Sequence, residues 1–182
     1  PYHLPKYELT NIHELIERVR SITVSEFGHE IEIIRDYDVS LPEIIADREK
    51  LIQALLNITR NACQALKNYD KETKQIIIKT RSDRHMCVHQ KKYLTVIRVD
   101  IIDNGPGIAN NILEKIFYPL VSGNQNGAGL GLSLAQDFIS IHKGRIEAHS
   151  KRNKTCFSIT LPIKNDLTLS KEEIHGKCVD SG

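Results

Sequence analysis

The sequence has no tryptophan and a single methionine, and aromatic residues make up only 5% of it. With so few flat side chains, no stacking platform for nucleic-acid bases stands out. Neither sign of charge dominates: 25 Lys and Arg face 23 Asp and Glu, for a net charge of +2. The basic residues are spread along the chain, so the electrostatic footprint of a nucleic-acid or membrane-surface binder is missing. No apolar run approaches the roughly 18 residues needed to span a bilayer, and the first residues lack the pattern of a secretory leader. The four cysteines, Cys63, Cys87, Cys156 and Cys178, form no Cys-x-x-Cys pair. They suit a reducing compartment, and the expectation is a cytoplasmic protein. Pro1 stands where an initiating Met would, which reads as a piece of a longer chain.

Two phosphate fingerprints are also missing. Residues 122–136 read "SGNQNGAGLGLSLAQ", with glycines at 123, 127, 129 and 131. A Walker loop needs Lys and Ser or Thr after its last glycine, and here Leu132 follows Gly131. A dinucleotide fingerprint needs a strand directly before it and a glycine at 132. What is present is Gly-x-Gly-x-Gly leading into a helix, whose backbone amides would favour an anion. The alternative is a mobile surface loop.

Hydrophobic spacing predicts helices over 9–27, 47–66 with Asp47 as N-cap, and 130–142, and a short one near 110–116. Strands are predicted over 31–37, 75–80 and 93–102, with a terminal hairpin over 144–150 and 155–163. Residues 81–92 are either a hairpin tip or extensions of both flanking strands. The order α-β-α-β-β-α-α-β-β is not strict β-α alternation, so an α/β (α+β) two-layer sandwich is expected, a mixed sheet with helices on one face. Three parts are expected: a connecting segment with the first helix (1–28), one domain (29–164) and a loose polar tail (165–182).

Two further stretches carry chemistry. Along the second long strand Ile97, Val99 and Ile101 share a face, and Asp103 joins them by period two. A carboxylate at the end of an apolar face must meet donors. In "DNGPGI", Gly105 and Gly107 would let a ligand approach closely. On the helix over 47–66, Leu51, Leu55, Ile58, Ala62 and Leu66 form the core stripe. Asn57 and Asn61 share another face, bordered by Ala54 and Ala65, and their amide oxygens suit a hydrated Mg²⁺. Taken alone, two such asparagines are more simply solvated.

In order, "NITRNACQAL", "DNGPGI" and "GAGLGLSLAQ", with "FYPLVSG" between the last two, resemble the GHKL ATP-binding superfamily, the three being its N, G1 and G2 boxes. That superfamily holds gyrase-type ATPases, Hsp90, mismatch-repair ATPases and histidine kinases. Together they look like a sensor histidine kinase catalytic domain of the Bergerat fold, mostly antiparallel with a mobile ATP lid. The "FYPLVSG" and "IRDYDVSLPEI" wording is similar to the nitrogen-regulation, NtrB-type kinases, over roughly residues 10–164.

The resemblance implies ATP and Mg²⁺ as cofactors. Asp103 would accept the adenine amino hydrogen with Thr155 near the base, and Gly105 and Gly107 would line the nucleotide. Asn61 would ligate Mg²⁺ with Asn57 assisting. Gly127, Gly129, Leu130 and Gly131 would form the phosphate edge of a lid over 119–128, anchored by Phe117 and Tyr118. The hydrolytic branches carry Glu at position 57, and Asn is no general base, which favours transfer to a side chain over transfer to water. A hydrolytic ATPase and a non-enzymatic module of the same fold are the alternatives.

The partners implied are a phosphoacceptor helical hairpin outside this chain, a response regulator and a PII-type signal protein. The full-length kinase would be a homodimer and this piece a monomer. Some family features are missing. Ala128 replaces a common Thr, residues 122–129 hold no Lys or Arg, and Gln64 replaces a common Lys. Arg60 is the candidate cation for the γ-phosphate. His13-Glu14 lacks the Asn-Pro of an acceptor motif, so His13 is rejected as acceptor. In "HMCVH", His85, Cys87 and His89 would share a strand face as Zn²⁺ donors, but no fourth ligand is evident and a solvent-facing hairpin is preferred.

Overall fold

The computed structural model describes residues 4–88, 91–119 and 130–163. A short strand β1 (Glu8–Thr10) precedes helix α1 (Ile12–Phe27), which is followed by strands β2 (Ile31–Asp36) and β3 (Ile44–Ala46) and helix α2 (Arg48–Lys67). Then come the long strands β4 (Lys74–Val88) and β5 (Lys91–Asp103), the turn-like α3 (Asn110–Leu113), helix α4 (Gly131–Ile141) and the hairpin β6 (Arg145–Lys151) and β7 (Lys154–Pro162). The expected tail, residues 120–128 of the expected lid with Gly127 among them, and Gly129 lie outside the described residues.

Five strands form one sheet in the order β2-β4-β5-β7-β6. Only β2 and β4 run parallel, with α2 in the crossover between them. The other pairs are antiparallel. Cross-strand register lays the inner face out in rows. Thr80, Val99, Ile159 and Ile146 make one row, and Ile78, Ile101, Phe157 and Ala148 the next. These residues pack under α1, α2 and α4, where the core stripe predicted for α2 is buried in full. The outer face is polar: Arg98 pairs with Asp83 and Asp100, and the Ser158 hydroxyl donates to Asp100 at 2.6 Å. One face buried and one solvated is the pattern of a helix-covered sheet. No described helix is long and apolar enough to cross a membrane.

Two differences from the sequence reading have physical causes, and one alternative left open there is decided. The first helix starts at Ile12, because the Asn11 side chain accepts from the His13 amide at 2.9 Å and caps it there. Residues 8–10 instead pair with residues 44–46 as a two-stranded sheet. Strands of three residues are too short to show a period of two. Residues 81–88 and 91–92 extend both flanking strands, and they pair through Val88 and Lys91. The side chains of His85, Cys87 and His89 lie outside the described residues. Among the described residues, no group of three or more His, Cys, Asp or Glu is placed to hold a metal.

Candidate functional site

The third row of the inner face is where the apolar floor ends: Ile76, Asp103, Thr155 and Ser150. Asp103 and Thr155 are each only 3% exposed. Among the described residues, the Asp103 carboxylate receives one hydrogen bond, from the Gly105 amide at 2.9 Å. Burial pushes its pKa up to about 6, against the pull of that amide. A carboxylate buried to this degree on a single hydrogen bond is a costly feature in a bare protein. It fits a ligand that brings an N–H donor.

The turn after Asp103 closes around it. A Cβ on Gly105 would lie 2.7 Å from Asp103 Oδ1, so only glycine leaves the carboxylate its place. Gly107 has φ +88°, and a Cβ there would meet the Lys151 carbonyl oxygen at 2.8 Å. The Ile108 amide donates to Ser150 Oγ at 2.8 Å, and Ser150 Oγ lies 2.9 Å from Thr155 Oγ1. An open cleft lined by residues 106–110 and 150–152 flanks this edge. Asn104 has a scaffolding role: its side chain accepts from the Gln75 amide and donates to the Thr73 carbonyl.

Helix α2 forms the next wall. Leu66 and Ala65 lie beside Gly105, at 3.5 and 3.8 Å from the position of an added Cβ. Asn57 Nδ2 donates to the Gly131 carbonyl at 3.0 Å, which joins α2 to the first residue of α4. Asn61, one turn on and half-buried, makes no hydrogen bond among the described residues, so its amide oxygen is available. The structure thus brings Asp103, Thr155, Gly105 and Gly107 to one edge, with Asn57 and Gly131 tied together beside it. Leu130 is 48% exposed at the start of α4. Arg60 points elsewhere: its guanidinium holds both oxygens of Glu26 on α1.

His13 is occupied in its own way. Its ring stacks on Tyr37 at 4.8 Å, and Nε2 sits 2.9 Å from Thr80 Oγ1. Burial holds its pKa below the usual imidazole value, despite the carboxylates of Asp38 and Glu17. A ring nitrogen held in that contact is poorly placed to take a phosphoryl group.

The sequence reading missed Ser150, which has no motif of its own. Its signal was positional: it faces Thr155 across a two-residue turn at Arg152 and Asn153.

Comparison with known proteins finds relatives in sequence and in fold. Residues 46–165 match the family model described as histidine kinase-, DNA gyrase B-, and HSP90-like ATPase. The chain is 43% identical over 162 residues to the sensory histidine kinase/phosphatase NtrB of Escherichia coli O157:H7, covering 88% of this chain and 46% of that protein. It therefore spans about half the length of the curated relatives it matches. The catalytic domain of histidine kinase ThkA superposes with a TM-score of 0.69 at 25% identity, covering 87% of this chain and 96% of that one. ThkA in complex with the response regulator protein TrrA superposes at 0.65 with 26% identity, covering 86% and 42%.

Proposed function

The chain belongs to the family of histidine kinase-, DNA gyrase B-, and HSP90-like ATPases, and on that premise we propose that it is the ATP-binding catalytic domain of a two-component sensor histidine kinase. The observation that carries the reading is the buried Asp103 beside Thr155, where the apolar floor ends, with one hydrogen bond to its carboxylate among the described residues. In this reading Asp103 accepts from the adenine amino group. Gly105 and Gly107 let the base and sugar approach, Gly127, Gly129, Leu130 and Gly131 border the phosphates, and Asn61 with Asn57 holds Mg²⁺. Bound ATP supplies the γ-phosphoryl, and Mg²⁺ offsets its charge. The protein's own part is positioning and electrostatics. Asn57 spans to the Gly131 carbonyl and offers no base for water.

The acceptor is a His on a helical hairpin outside this chain, and the next acceptor an Asp on a response regulator. The exposed apolar residues Tyr118, Leu130 and Leu134 support a helical partner near the phosphate edge. Similarity to NtrB supports a role in nitrogen regulation; the proposal extends to a PII-type protein as input and to a cytoplasmic homodimer. Calorimetry with Mg²⁺ and a non-hydrolysable ATP analogue tests the site. The wild type should bind, and Asp103→Asn and Asn61→Asp should each weaken binding. No heat from the wild type would overturn the reading.

A further inference from the structure

Ser150 stands opposite Thr155 on β6, and Thr155 stands opposite Asp103 on β5. The three side chains form a polar row across three strands. Ser150 Oγ is held from one side by the Ile108 amide at 2.8 Å and lies 2.9 Å from Thr155 Oγ1. The Ile108 amide belongs to the segment that follows Gly107, so the turn after Asp103 and the sheet edge meet at this hydroxyl.

A hydroxyl has one hydrogen to give and two lone pairs. One lone pair of Ser150 takes the Ile108 N–H. Its second lone pair and its hydrogen both face Thr155 Oγ1 at 2.9 Å, so either hydroxyl can donate to the other. When Ser150 donates, a chain runs from Ile108 N–H through Ser150 to Thr155 and strengthens each link in turn. That arrangement frees the Thr155 hydrogen. Thr155 is almost wholly buried, so the arrangement is favoured when a ligand brings an acceptor for that hydrogen. Adenine presents an amino donor next to a ring-nitrogen acceptor, N1. The Asp103 carboxylate suits the first and the Thr155 hydrogen suits the second, directly or through one water.

Resting on the ATP-site reading, we propose that Ser150 is a specificity-determining positioning residue. Its hydroxyl turns the Thr155 hydrogen toward the base, so that Asp103 and Thr155 together read the amino and ring-nitrogen edge of adenine. Ser150 itself acts through Thr155.

The test is competitive binding of ATP and 1-deaza-ATP, which has C–H in place of N1, to the chain in the presence of Mg²⁺. The wild type should prefer ATP about ten-fold. In Ser150→Ala, and in Thr155→Val, the preference should fall to within about two-fold, while Ser150→Thr keeps it. If Ser150 only props the turn, Ser150→Ala weakens both nucleotides together and the preference survives, which overturns the proposal. A wild type that binds both nucleotides equally also overturns it and leaves the ATP site standing. A wild type that binds neither removes the ATP site and the proposal together. Should Ser150→Ala fail to fold by thermal melting, Ser150→Cys takes its place, since the thiol keeps the volume and is a weak donor.

Discussion

At the scale of the residue, Asp103 sets stability against function. Burial raises its folded pKa to about 6 from an ordinary 3.8. The folded state therefore holds the proton more tightly than the unfolded chain. Stability falls as pH rises between those two values, and the full cost remains above pH 6. Asp103→Asn removes that cost while keeping an oxygen for the Gly105 amide. Thermal melts should show the variant more stable than wild type at pH 7, with the gain fading toward pH 4. Its affinity for the ATP analogue should fall by at least about ten-fold in calorimetry. In the wild type, affinity should decline as pH drops below about 6, because a protonated carboxyl is a poorer acceptor for an amino group. Gly107 makes a second residue-scale prediction. With φ +88° and the Lys151 carbonyl 2.8 Å from any Cβ, Gly107→Ala should cost about 2 kcal/mol or more, read in a denaturant melt. Asp103 and both glycines could be found in the sequence, because period two and the DNGPGI turn are local signals. Ser150 could not, because what marks it is a partner on another strand.

At the scale of the element, α4 is tied to α2 at both of its own ends. Near the site, Asn57 reaches the Gly131 carbonyl. At the far end, the Asp47 amide donates to His142 Nε2 at 2.9 Å, and His142 Nδ1 lies 2.6 Å from the Phe138 carbonyl. Since Nε2 accepts, the ring is neutral and Nδ1 carries the proton. The Asp47 side chain caps α2 through the Lys50 amide at 3.1 Å and also takes the Lys6 amide at 2.9 Å. Burial pushes the Asp47 carboxyl upward, but those two amides and the nearby Lys50 charge outweigh it and hold the pKa below the usual value. Its stabilisation is therefore present at neutral pH and is lost as pH falls through that lowered value. Asp47→Ala should cost about 1–2 kcal/mol at pH 7 and much less in strong acid, measured by urea denaturation. Asp47 was readable as a cap because capping is a short-range signal. Its ties to Lys6 and His142 join residues 41 and 95 positions away, and no local pattern shows them.

At the scale of the whole molecule, the domain should hold ATP without an acceptor of its own. Incubated alone with γ-labelled ATP, the chain should stay unlabelled. Adding a separate helical hairpin that carries a phosphoacceptor His from an NtrB-type kinase should place label on the hairpin. His13→Ala should leave that transfer within about two-fold, because His13 is packed between Tyr37 and Thr80. Label on His13 itself would contradict the assignment. The sequence alone determined the long elements, the sheet's buried face and the order of the glycine and asparagine motifs. Each of these is written in spacing along the chain, as periods of 3.6 and 2 or as turn residues at fixed offsets. Only the tertiary structure decided the pairing of residues 8–10 with 44–46, the capture of Arg60 by Glu26, and the row in which Asp103, Thr155 and Ser150 meet. Those depend on which segments fold against one another. That is set by burying the common core, and the residues that end up in contact carry no mark of it in their own neighbourhood.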